Sequence, residues 1–483
     1  VDSTLRRSTR AVPERTADRE SETNATRLIG RVVFYGLLLV LVLTAIPYGT
    51  VEPWSVTLFQ CAVFAFGLLF VVEGYLSGSW RIGGASIFFP LVALAMFALV
   101  QSIPFWLTSQ PAASSGKIWL ALSADPYESR AFALKVFALI LAGALMLRYL
   151  RTRRRLFVLI SVLMTVGLAS AVFGILRQSL QHQPKGFVLP ALMMDLGYAQ
   201  FINKNHFAFL MEMALGLGIG LICSRFVGKD RILAWVAGLL AIWTALVLSA
   251  SRGGLLAMTG QFVFVLLVFL RGRTENGDDA SKSKRGSVWN FARSLLVQLV
   301  LIIGLLVVVI VGIIWISGDP LVTGVETVSV ELQATQSDQH VGGRRRDIWN
   351  ATWQMFKANP VAGAGLGGYW AAVPRYHDGS GQITPQQAHN DYLELLASSG
   401  VIGFAIGLWF LIVLVRKLRA AVRAEDPLFR GAAWGAAIAI VGVAVHSLFD
   451  FGLHITINAL VFCSLLALIG ATQQYADRTH REF

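Results

Sequence analysis

Residues 151–176 read RTRRRLFVLISVLMTVGLASAVFGIL: four arginines within five positions, then twenty-one residues without a charge. A helix needs about 20 consecutive apolar residues to cross the hydrocarbon core of a bilayer. That core offers no water to the backbone, so a run of this kind takes the form that pairs its own N–H and C=O groups, the helix. The arginines mark the end held on the cytoplasmic side. Apolar runs of this length occur twelve times, at about 32–50, 54–73, 87–107, 131–149, 156–176, 206–224, 232–249, 254–270, 295–317, 398–415, 431–449 and 455–472. None shows the alternation of a membrane β-barrel strand. The chain reads as an all-α polytopic membrane protein with about 12 transmembrane helices.

Composition points the same way. Of 483 residues, 55% are hydrophobic and 14% charged, against about 25% charged in a soluble domain. Most of the surface must therefore face something other than water, which excludes a soluble enzyme and a disordered chain. The net charge is +13, from 41 basic and 28 acidic residues, and by itself would also suit a nucleic-acid binder. The positions of those charges decide otherwise. Alternating segments collect 29 of the 41: Arg6 to Arg31, Arg81, Arg148 to Arg155, Arg225 to Arg231, the 271–293 and 416–430 loops, and the C-terminal tail. That side is therefore cytoplasmic, with both termini inside, and no nucleic-acid partner is implied. Cys61, Cys223 and Cys463 lie singly in apolar runs, so neither a zinc site nor a disulfide framework is indicated.

The spans divide the chain into a disordered cytoplasmic tail (1–31), a bundle of nine spans (32–317), an outer loop subdomain (318–391), a bundle of three spans (392–472) and a second cytoplasmic tail (473–483). The first tail lacks the apolar h-region of a signal peptide. Residues 271–293, rich in Ser, Lys, Asp and Gly, read as a solvated linker.

Polar chemistry gathers on the outer side. Of eight histidines, all but His480 fall on or near it. In the long outer segment, Ile348, Trp349, Trp353, Met355 and Phe356 recur at helical spacing, which predicts an amphipathic helix lying on the membrane surface. Asn359-Pro360 and the glycines at 363, 365, 367 and 368 then break that helix. Neither a nucleotide fingerprint nor a lysine follows, so a tight structural loop is favoured over a phosphate cradle.

Several residues there carry candidate chemistry. Arg344, Arg345 and Arg346 precede the surface helix, Arg252 stands in Ser251-Arg252-Gly253-Gly254, and Lys204 lies in Asn203-Lys204-Asn205-His206 at the start of the sixth span. An arginine at a helix N-terminus adds to an already positive dipole, and its planar fork matches phosphate oxygens. Anion binding is the reading preferred for Arg252, with snorkelling to lipid headgroups as the alternative. His389 and Asn390 begin the helix leading into the tenth span. There the dipole favours a neutral imidazole, the form a general base needs, although the pair also suits simple capping.

Other features read as structural. Asp125-Pro126-Tyr127-Glu128 has the pattern of a capping box with proline at the first helical position. His446, Asp450 and His454 recur every four residues but straddle a turn and lack a fourth ligand, so no metal is expected. Glu212 lies inside the sixth span, where a carboxylate is costly and faces the bundle interior.

In order, Asn203-x-Asn205-His206-Phe207-Ala208, Ser251-Arg252-Gly253-Gly254, Arg345-x-x-x-Trp349 with Asn359-Pro360-x-x-Gly363-x-Gly365, and His389-Asn390-x-x-Leu393-Glu394 with Gly400-x-x-Gly403 resemble the O-antigen ligase and Wzy-type polymerase superfamily. Leu122-Ser123-x-Asp125-Pro126 and Ser447-Leu448-Phe449-Asp450-Phe451 fit the same pattern, and the resemblance runs from about residue 120 to 470. It implies a type C glycosyltransferase-like architecture in the bacterial inner membrane, inverting, free of metal and cofactor, and working at the periplasmic face. Residues 318–391 are then a periplasmic loop subdomain. The implied donor is a glycan on undecaprenyl diphosphate. The acceptor is either a further glycan, for a polymerase, or lipid A core, for a ligase, among inner membrane lipids. By the same resemblance Arg252 and Arg345, the latter within the run Arg344 to Arg346, hold the diphosphate, and His389 is the general base or positions the acceptor. Asn203, Lys204, Asn205, His206, Asn390 and Asp450 are the candidate substrate-binding residues.

The residue chemistry is compatible. A diphosphate leaving group needs cations where its charge develops, and the attacking hydroxyl needs a base. A flippase for lipid-linked glycans or a secondary transporter fits twelve spans equally well. It predicts repeated halves and broken helices with charges at mid-membrane, whereas the polar residues here gather at outer helix ends.

Overall fold

The computed structural model describes residues 24–109, 117–193, 197–275, 345–377 and 385–479. Its helices in chain order are α1 (Asn24–Ala45), α2 (Pro53–Ser77), α3 (Phe89–Gln101, entered through a 3-10 turn, Ala85–Phe88), α4 (Pro126–Tyr149), α5 (Arg153–Leu180), α6 (Lys204–Cys223), α7 (Ile232–Leu248), α8 (Arg252–Glu275), α9 (Arg345–Ala358), α10 (Tyr369–Ala372), α11 (Asp391–Ala421), α12 (Pro427–His446) and α13 (Thr456–Thr479). Two antiparallel hairpins interrupt them: β1 (Pro104–Ser109) with β2 (Lys117–Ala121), and β3 (Lys185–Phe187) with β4 (Leu189–Met193).

Eight helices, α1, α2, α4, α5, α6, α11, α12 and α13, are long and apolar enough to cross a membrane, and Ala85–Gln101, Ile232–Leu248 and Arg252–Val268 are shorter apolar helices. Each predicted run except 295–317 coincides with one of these. That run, most of the 271–293 linker, Arg344 and His480 lie outside the described residues.

Start signals in the sequence set many boundaries. Asp125 caps α4 by accepting from the Tyr127 and Glu128 N–H groups, and Asp426 caps α12 through Leu428 and Phe429. Each is followed by a proline at the first helical position, where a missing N–H costs nothing. Thr152, Asn203 and Asn390 cap α5, α6 and α11 in the same way.

Three predicted boundaries need correction. The first helix begins at Asn24 and stops at Ala45, so residues 24–31 of the predicted tail are helical and the first span ends before Pro47. The third span stops at Gln101 instead of 107: Pro104 biases Ile103 away from helical angles, and the chain turns into β1. At the C-terminus α13 continues through Thr479, well into the predicted second tail.

The core is built on α6, α12 and α13, which bury 83%, 72% and 89% of the residues in their most apolar 18-residue stretches, whereas α2 buries only 17% and faces outward. Trp54, Leu58, Leu68, Val71 and Tyr75 on α2 are exposed, as lipid-facing side chains are. Helices α6 and α12 approach through small residues, Gly216 and Gly220 against Ala439 and Gly435. A Cβ on Gly220 would stand 2.1 Å from the Gly435 nitrogen, the close backbone approach that small-residue spacing permits in membranes.

The feature that positions the site is a break in α11 at Gly400 (φ 61°, ψ −160°). The glycine loop after α9 fills the break. Ala364 and Gly365 N–H groups donate to the Ala397 and Ser398 carbonyls (3.0 and 2.9 Å), and Val401 N–H donates to the Pro360 carbonyl (2.9 Å). Gln101 of α3 completes it, donating to the Ala362 and Ser398 carbonyls and accepting from Leu366 N–H. The loop is thus a structural plug, as its composition predicted. A broken helix also belongs to the transporter alternative, but this break is filled by neutral backbone and one amide.

Candidate active site

The site forms where the starts of α6, α8 and α11 meet the turn between α12 and α13. His389 precedes the cap of α11, with a left-handed backbone (φ 51°) that turns its side chain out of the helical path. The cap itself is Asn390, which accepts from Leu393 N–H at 3.0 Å. Capping is therefore assigned to Asn390, and His389 is left for other work. Its Nδ1 lies 3.3 Å from Oδ1 of Asp450, whose side chain is 1% exposed while the imidazole is 33% exposed.

Asp450 is held from several sides. Oδ1 also accepts Phe451 N–H at 2.9 Å, and Oδ2 accepts from the Asn205 amide. Burial alone would raise this carboxyl, but the His389 hydrogen bond, the charge of His206 and the Phe451 N–H together bring it down to about 2. The Asn205 carbonyl in turn accepts from Ser251 Oγ at 2.8 Å, and Ser251 Oγ accepts from Gly254 N–H, capping α8. Arg252 is the next residue. One polar chain, Ser251–Asn205–Asp450–His389, thus joins the arginine turn to the histidine.

Phe451 orders the rings around it. His206, His389 and His454 each meet it edge-on, with centroids 4.9, 5.0 and 5.9 Å away. Of the remaining predicted residues, Asn203 is the cap of α6, accepting from Asn205 N–H at 2.8 Å, and Lys204 lies within electrostatic range of Arg252. Arg345 and Arg346 are exposed in the first turn of α9. That helix buries Ile348, Ala351, Thr352 and Met355 and packs on α11, so its apolar face meets protein. Trp349 donates its indole N–H to the Ala388 carbonyl at 3.0 Å, which fastens α9 one residue from His389. Arg345, four residues before Trp349, shares its helix face.

Two clusters, one buried and one partly exposed, were only partly anticipated. Glu212 finds its partner in His446, Nδ1 to Oε1 at 2.6 Å, with both side chains fully buried and Phe209 stacked on the imidazole at 4.1 Å. His454 lies 3.7 Å from carboxylate oxygens of both Asp391 and Glu394, and Lys135 donates to its carbonyl at 2.7 Å. Regular spacing had grouped His446, Asp450 and His454, yet each joins a different partner. Among the described residues no group of three or more His, Cys, Asp and Glu could hold a metal ion.

Residues 237–408 match the family model Wzy_C, O-antigen ligase. This stretch is an O-antigen ligase-family domain. It contains Arg252, Arg345, Trp349, His389 and Asn390, and the match, with the apolar helices, supports a multi-pass membrane protein similar to the O-antigen ligases. Asn205 and Asp450 lie outside the O-antigen ligase match and reach His389 through the fold. No curated protein matches the chain.

Proposed function

We propose that the protein is an inverting glycosyltransferase of the bacterial inner membrane. It takes a glycan from undecaprenyl diphosphate at the periplasmic face and passes it to a hydroxyl of lipid A core or of a further glycan. The observation that carries this reading is the His389–Asp450 pair. An imidazole that donates from Nδ1 to a buried carboxylate keeps Nε2 as a proton acceptor, oriented and partly exposed. The acceptor oxygen attacks the anomeric carbon as the bond to the diphosphate oxygen breaks. His389 Nε2 takes the hydroxyl proton, and undecaprenyl diphosphate leaves with the bonding electrons. Arg252 and Arg345 bind the diphosphate and stabilise the charge that develops on it. Asn205 and Asp450 position His389, Asn203 and Asn390 set the helix starts, and Lys204 and His206 border the donor.

The test uses the purified full chain with a lipid-linked glycan donor, alone and with lipid A core. A single shift of lipid A core reports ligation, and a ladder of repeats reports polymerisation. Intact donor under both conditions overturns the proposal.

A further inference from the structure

A cavity of ≈ 930 Å³ lies at the end of the bundle away from His389. It forms among the C-terminal ends of α2, α4 and α13, whose walls include Glu73, Arg148 and Arg478. Helix α13 starts two residues after His454 and runs for 24 residues, about 36 Å at 1.5 Å per residue. This cavity is therefore separate from the His389 site. Its volume falls in the range of roughly 300–1,000 Å³ typical of small-molecule sites.

Four arginines, Arg81, Arg148, Arg151 and Arg478, line it against one carboxylate, Glu73, an excess of three positive charges (4 − 1). Glu73 is already engaged, accepting from the Tyr149 hydroxyl and lying 3.6 Å from Arg148. Arg148 is 6% exposed. Its terminal nitrogens donate to the Arg81 and Ser79 carbonyls at 3.1 Å, which fixes the guanidinium, while its buried Nε has no hydrogen-bond partner among the described residues. Arginines that serve only as topology anchors spread outward to separate headgroups. Here they converge on one concave space around a fixed, incompletely satisfied guanidinium.

We propose that this cavity is a binding site for a phosphate-bearing ligand. Arg81, Arg151 and Arg478 supply donors to the phosphate oxygens and Arg148 supplies the buried positive centre, the pairing to which the guanidinium fork is suited. Such a group comes from an anionic phospholipid headgroup, as in basic pockets between membrane helices, or from a phosphorylated solute.

The full chain, purified in detergent, distinguishes these sources. Native mass spectrometry counts retained phosphatidylglycerol against phosphatidylcholine, and thermal unfolding compares inorganic phosphate with chloride at equal ionic strength. The triple variant R81Q/R151Q/R478Q changes exposed side chains only, and R130Q, on the first turns of α4, controls for general charge loss. A lipid site predicts phosphatidylglycerol retention that falls at least about tenfold in the triple variant and not in R130Q. A solute site predicts stabilisation by phosphate over chloride with the same arginine dependence. If neither probe binds in a manner that depends on the three arginines, or if R130Q loses as much, the proposal is overturned.

Discussion

His389 Nδ1 meets Asp450 Oδ1 at 3.3 Å although 61 residues separate them in the chain. With its carboxyl held at about 2, Asp450 stays ionised at neutral pH and fixes the imidazole with its proton on the Asp450 side. Replacing His389 by Ala removes the base, and Asp450→Asn leaves the ring in place without an anion to hold its tautomer. Each is expected to lower the transfer rate by roughly 10²- to 10⁴-fold while membrane insertion and gel-filtration profile stay as in the wild type. Full activity in both variants would falsify the assignment.

Asn205 joins α6 to both sides of the site, accepting from Ser251 and donating to Asp450. Asn205→Ala breaks the link between the Arg252 turn and the His389 pair while leaving Arg252 and the His389–Asp450 contact themselves in place. Transfer is expected to slow by about tenfold, the equivalent of one lost hydrogen bond to a charged group. Combined with Asp450→Asn it should cost little more than Asp450→Asn alone, because both act through one network. Additive losses in the double variant would argue against the chain.

Much of this was legible in the chain itself, for definite reasons. Eleven of the twelve apolar runs were, because roughly 20 apolar residues in a row have few other uses; so was the start of α4, because Asp125-Pro126 is a local signal. Arg252, Arg345 and His389 stood out by residue type against their apolar surroundings. Pairings across the fold were not legible. Spacing put His446, Asp450 and His454 together as i, i+4 neighbours, but the fold gives each its own partner: Glu212 of α6, His389 before α11, and Asp391 with Glu394 in α11. Trp349 was visible in an amphipathic stripe and in the Arg345-x-x-x-Trp349 motif, but its bond to Ala388 depends on how α9 packs on α11.

If Arg252 and Arg345 meet the charge of the leaving diphosphate, no divalent ion is required for it. Transfer by purified protein is expected to proceed in EDTA at within about twofold of its rate in magnesium. Loss of turnover in chelator, restored by a divalent ion, would show that the arginines do not suffice.

His454 adds to the fold a contribution of its own that weakens on mild acidification. Burial, aided by Lys135 and His206, lowers this imidazole from its usual 6.5 to about 4 against the pull of Asp450. The unfolded chain therefore binds the proton first, and between pH 6.5 and 4 the folded state loses ground as pH falls. His454→Gln removes that proton uptake. On going from pH 6.5 to 4 its thermal midpoint in detergent should drop less, or rise more, than the wild type's, and curves of identical slope would reject the prediction.

Two glycines of α11 give opposite expectations for the same substitution. At Gly400 the backbone adopts φ 61° and ψ −160°, a region essentially closed to other residues. A Cβ there would stand 2.3 Å from the Val361 carbonyl oxygen, within the loop that plugs the break. Because backbone cannot move aside as a flexible side chain does, Gly400→Ala should destabilise by at least about 1–3 kcal/mol and loosen the segment that carries Asp391 and the Asn390 cap. At Gly407, by contrast, an added Cβ meets only Leu395 Cδ2 at 3.7 Å, an ordinary contact. Gly407→Ala should therefore be neutral or stabilising by up to about 1 kcal/mol through helix propensity. Unfolding of the two variants side by side checks the break itself: equal midpoints would mean that α11 passes through residue 400 as a continuous helix.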